Sequence, residues 1–248
     1  MVLILAAVVI VLGILVNRGI WPAFWVRGAW HSAKAYVVTA PASYLYVLVI
    51  GVTTVVLLSS SDLTSTLLLT TRSSSLHVLF HAPGRGFVQS AFWVATPIEF
   101  PLAILYATLL APVERWLGSL RWIIVAATGH VGATLLVALM IWAMVKLGWV
   151  GDDATRGVDV GVSYAFGAVA GVFTYMQRGR LRWIYPAALL GVFALILVTQ
   201  PNFTAVGHLL AITIGLVLGA FLRGRAPTVD PAEPLYQRPL WRPPAPLR

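Results

Sequence analysis

The chain has 248 residues, 59% of them hydrophobic and only 10% charged, where a soluble domain carries roughly a quarter charged residues. Too few polar groups remain to coat a water-facing surface, which excludes a soluble globular protein. The net charge of +9 fits the Lys and Arg excess of cytoplasmic loops; no basic run with interleaved aromatics argues for nucleic acid, and without cysteine there are no disulfides and no thiolate metal site.

The first apolar block, 2–16, has no positive charge before it and Asn17-Arg18 after it. A secretory signal peptide has the reverse charge order, so this block predicts an uncleaved anchor helix with its N-terminus outside; a misassigned start codon is the other reading. Six further blocks of bilayer-crossing length follow at 42–58, 96–111, 122–145, 161–176, 183–199 and 205–222. The intervening stretch 59–95 is long for a structureless loop. Its Ser/Thr-rich start and its Leu76-His77-Val78-Leu79-Phe80 core predict a structured loop embedded in the membrane interface. The tail 223–248, with prolines at 227, 231, 234, 239, 243, 244 and 246, cannot bury enough apolar surface to fold alone. It is expected to be a disordered cytoplasmic segment drawn to anionic headgroups.

The fold class that follows is all-α, a polytopic transmembrane helix bundle. Its parts are an anchor and connection over 1–41, a membrane core over 42–222 and the tail. Thirteen of the seventeen Lys and Arg residues fall in segments 17–41, 112–121, 177–182 and 223–248, which places those segments and the C-terminus in the cytoplasm. An integral membrane protein is expected.

Polar groups within spans are costly, so those present are candidates for function. Three sites stand out: Gly161-Val162-Ser163-Tyr164, Gly207-His208, and Gly129-His130. By the charge count, the fifth and seventh blocks both enter from the non-cytoplasmic side. Ser163 and His208 therefore sit at similar shallow depth, at 1.5 Å of rise per residue. Ser163, Gly167 and Gly171 form one stripe; His208, Ala211, Gly215 and Gly219 form another. Small residues at this spacing let two helices approach closely in lipid, which would bring the hydroxyl and the imidazole together. Serine becomes an effective nucleophile when a base takes its proton, and histidine is the usual base.

Three stretches, Val113-Glu114-Arg115-Trp116-Leu117-Gly118-Ser119, Asp159-Val160-Gly161-Val162-Ser163-Tyr164 and Gly207-His208 through Gly215, resemble the rhomboid family of intramembrane serine proteases, in particular an actinobacterial-type rhomboid-like branch. The resemblance covers about 42–222. It implies a six-helix rhomboid core plus one extra N-terminal helix, and hydrolysis of a peptide bond in or beside a substrate's transmembrane helix. Ser163 would be the nucleophile and His208 the general base. The Ser163 N–H would help to hold the oxyanion, with Gly161, Tyr164 and His130 as candidate binding residues, and 59–95 would match the family's membrane-dipping first loop. Neither a metal nor another cofactor is implied. The expected partners are transmembrane-helix substrates within the lipid bilayer, and no nucleic acid.

Two departures open a second reading. Tyr164 stands where active rhomboids usually have glycine. Ile98 and Leu102 stand about where they carry a histidine and an asparagine that stabilise the oxyanion, and loss of one such donor costs about 10²–10³ in rate. His77, His81 and His130 are candidate replacements. A catalytically inactive rhomboid-like protein that binds transmembrane helices of its partners is the alternative. A transporter or channel is disfavoured because Glu99 alone would mark an ion path at mid-membrane.

Overall fold

Ser61, Ser75 and Asn202 each immediately precede a helix, and each side chain accepts a first-turn backbone N–H, from Thr64, Val78 and Ala205. Such caps satisfy donors that the helix cannot. The structure, a computed structural model, describes residues 33–177 and 179–224; the expected anchor over 2–16 and all but the start of the 223–248 tail lie outside them. Its helices are α1 (Pro41–Leu58), α2 (Asp62–Arg72), α3 (Leu76–His81), α4 (Pro83–Ser90), α5 (Phe100–Leu117), α6 (Ser119–Lys146), α7 (Val162–Phe173), α8 (Leu181–Thr199) and α9 (Phe203–Leu222), with 3-10 turns at Pro97–Glu99, Asp152–Arg156 and Thr174–Met176. No strand occurs among the described residues, so the chain is all-α as expected.

Among the described residues five helices are long and apolar enough to cross a membrane: α1, α5 with its leading 3-10 turn, α6, α8 and α9. The fifth expected span, 161–176, is shorter, Val162–Met176. Fifteen residues rise about 22 Å against a hydrocarbon thickness of roughly 30 Å, so at least one end of α7 lies below the membrane surface. A short helix survives there because protein surrounds it. Nine of its twelve residues are buried, and it packs against α5, α6 and, most extensively, α9. By contrast α8 buries none of its residues. Leu181, Trp183, Ile184, Val192, Leu195 and Val198 on it are exposed, as lipid-facing side chains are.

The stretch 59–95 is structured, as expected, in α2, α3 and α4. It is stitched to the approach to α7. Ser74 N–H donates to the Asp159 carbonyl at 2.8 Å, and Gly161 N–H donates to the Ser90 carbonyl at 2.9 Å. The connection expected over 112–121 shrinks to Gly118, because α5 runs to Leu117 and α6 starts at Ser119. Gly118 has φ 82° and ψ 153°, a conformation essentially restricted to glycine.

Candidate active site

The α7–α9 seam is built from glycines. A methyl group on Gly167 would stand 3.3 Å from the Ala211 Cβ, and one on Gly171 2.8 Å from the Leu216 amide nitrogen. A Cβ on Gly215 would run into the Ala168 backbone, and one on Gly219 into the Tyr175 ring. Each step along α7 meets a matching step along α9, so the two helices run parallel and in register. Ser163 lies on the first turn of α7 and His208 on the second turn of α9. A helical side chain leans towards its N-terminus, which brings the imidazole back towards the level of the hydroxyl.

Both residues are half-buried and line one cavity of about 310 Å³ between α5, α7, α8 and α9. Phe166, Leu189 and Phe193 form apolar walls, while Glu99, Asp159 and Thr204 bring further polar groups to it. Leu102 lines the same cavity and Ile98 is exposed; neither side chain can donate a hydrogen bond. Among the described residues no hydrogen bond joins Ser163 to His208, and neither nitrogen of the His208 ring has a partner. Rings flank the imidazole instead. Tyr164 lies at 5.4 Å between centroids with an interplanar angle of 78°, and Phe193 at 5.3 Å and 57°.

Tyr164 is fully buried. Its phenol donates to the Asp159 carboxylate, 3.0 Å from each oxygen, and the Thr204 hydroxyl donates to the same group at 3.2 Å. Gly207 admits the phenol, since any Cβ there would overlap it. Burial pushes the Asp159 carboxyl up to about 6, against hydrogen bonds from Tyr164 and Thr204 that favour its charged form.

His130 is buried on α6, away from the Ser163–His208 cavity. Its Nε2 is 2.9 Å from the Phe87 carbonyl oxygen and 3.2 Å from the Ser90 hydroxyl. A carbonyl can only accept, so Nε2 carries the proton. Ser90 in turn donates to the Gly86 carbonyl at 2.6 Å. Although a serine and a histidine meet here, the histidine has no lone pair aimed at the hydroxyl, and the pair is sealed from solvent. It acts as a brace. The ring fills the space beside Gly161 that a Cβ would occupy, two residues ahead of Ser163. His77 and His81 lie side by side on the exposed face of α3, with ring centroids 4.4 Å apart, and do not line the cavity.

The sequence did not point to the contacts that Asp159, Ser90, Thr204 and Phe193 make around Tyr164, His130 and His208. Asp159 carried one usable signal, an acidic residue placed directly before an apolar helix. The Ser90 and Phe193 contacts are long-range and leave no local pattern.

A family model described as rhomboid-like protein matches residues 35–228, most of the chain, and the protein belongs to that rhomboid-like family. With its five bilayer-length apolar helices, it is an integral membrane protein. Comparison with the curated proteins and with the solved structures gave no match.

Proposed function

We propose that the protein is an intramembrane serine endopeptidase acting through Ser163 and His208. The observation that carries this reading is that a serine hydroxyl and an imidazole with no hydrogen-bond partner line one membrane-embedded cavity, on the two most closely packed helices of the bundle. His208 takes the Ser163 hydroxyl proton as Oγ attacks the scissile carbonyl carbon. The Ser163 N–H lies in the uncapped first turn of α7, and such orphan donors at a helix N-terminus favour the developing oxyanion. The imidazolium then protonates the leaving amine, and a water activated by the same histidine releases the acyl group. Entry of the substrate helix between α5 and α8 fits the residues that these helices contribute to the cavity and the sparse packing of α8.

A second reading has its own support. Leu102 offers no oxyanion donor and the dyad makes no direct hydrogen bond, as expected of a non-catalytic protein that holds partner helices in the same groove. Reconstitution in vesicles with a tagged transmembrane-helix substrate separates the two. Cleavage by the wild type that disappears in Ser163→Ala and in His208→Ala supports the protease. Absence of cleavage, with a membrane partner co-purifying equally with Ser163→Ala, supports the helix-binding protein.

A further inference from the structure

A catalytic imidazole needs a fixed orientation, and in a serine–histidine–carboxylate site a hydrogen bond to its second nitrogen supplies it. His208 has no such bond among the described residues, so its orientation comes from the rings on either side. These two rings are not equivalent. Phe193 stands on α8, which buries none of its residues, whereas Tyr164 stands fully buried on α7. The fixed wall is Tyr164.

Tyr164 is itself held at its far end. Its phenol bridges both Asp159 oxygens at 3.0 Å and packs over Gly207, the residue before the histidine. Asp159 is anchored in turn by the Thr204 hydroxyl on its side chain and by the Ser74 N–H and hydroxyl on its carbonyl, at 2.8 and 3.1 Å. A continuous chain of contacts thus runs from Ser74 through Asp159 and Tyr164 to the imidazole, whose ring stands nearly perpendicular to that of Tyr164. The phenol proton is committed to Asp159, which leaves Tyr164 no part in proton transfer to Ser163.

We infer that Asp159 and Tyr164 are positioning residues, with Asp159 fixing the Tyr164 ring and the ring holding the His208 imidazole towards Ser163. This rests on the dyad reading above. It also accounts for the bulky residue after the serine, since Tyr164 substitutes ring packing for the missing hydrogen bond to the histidine.

The test is the rate at which a neutral fluorophosphonate labels the full-length protein in detergent, with folding of each variant checked by thermal unfolding. Tyr164→Phe and Asp159→Ala remove the same link and should each slow labelling roughly tenfold, a modest loss of orientation. The double variant should be no slower than either single one, because coupled residues are non-additive. Tyr164→Leu, which also removes the ring, should be slower still. Asp159→Asn, which keeps an acceptor for the phenol, should recover most of the rate and replaces Asp159→Ala if that variant does not fold. Wild-type rates in Tyr164→Phe, or losses that multiply in the double variant, overturn the inference while Ser163→Ala still abolishes labelling. Labelling that survives Ser163→Ala overturns the dyad reading and this inference with it.

Discussion

Four donors converge on the buried Glu114 carboxylate: the Ala42 N–H at 2.9 Å and the Ser119 hydroxyl at 2.6 Å on one oxygen, the Ser43 N–H at 2.8 Å and hydroxyl at 2.7 Å on the other. The first-turn amides of α1 are thereby capped from 72 residues away. Glu114→Gln places an NH₂ group among donors and leaves some of them unpaired, at a cost of about 2–4 kcal/mol. Thermal unfolding in detergent should show a clearly lower midpoint, and an unchanged one would deny this carboxylate its structural role. Asp159 gives a pH-dependent signature instead. Its carboxyl is raised from 3.8 to about 6 by burial, so between those values the folded chain keeps a proton that the unfolded chain has released. Stability contributed here therefore falls as pH rises through that window. Asp159→Asn should gain stability relative to wild type between about pH 4 and pH 6, with no further gain above it; a variant that loses ground as pH rises through the window contradicts the assignment. The Glu114 motif was visible in the sequence as a string of letters. Its partners were not, because they arise from contacts 71 and 72 positions distant.

At the scale of elements, apolar block length located the spans to within a few residues at most ends. The α5 end is the instructive exception. A block ending at 111 stopped where Pro112, Glu114 and Arg115 look like loop, yet the helix continues to Leu117 because buried donors, rather than water, satisfy Glu114. The α7–α9 register was readable because two four-residue periodicities must mesh if glycine is to meet backbone. The small helices of 59–95 were not, since their caps and single turns carry little apolar periodicity. The seam yields a paired prediction. Gly215→Ala drives a methyl into the Ala168 backbone and should destabilise the fold by about 1–3 kcal/mol. On α8, a Cβ at Gly191 meets nothing within 4 Å, so Gly191→Ala should be neutral or stabilising by about 0.5–1 kcal/mol. Equal effects on the unfolding midpoint would remove the distinction between the tight seam and the loose outer helix.

Across the whole molecule, a short buried helix is ringed by longer ones. This keeps its first turn away from lipid and leaves a cavity where polar chemistry can operate. That Ser163 and His208 line one cavity is in keeping with the topology and helix rise read from the sequence. The bracketing of the imidazole by Tyr164 and Phe193 was not legible there, because it depends on side chains from three helices and one loop. Mass spectrometry of the full-length protein after fluorophosphonate treatment tests the pairing most directly. The expected result is a single adduct on the peptide carrying Ser163, lost in His208→Ala while the variant remains folded. An unmodified Ser163 in the folded wild type, or an adduct formed equally without the histidine, would contradict it.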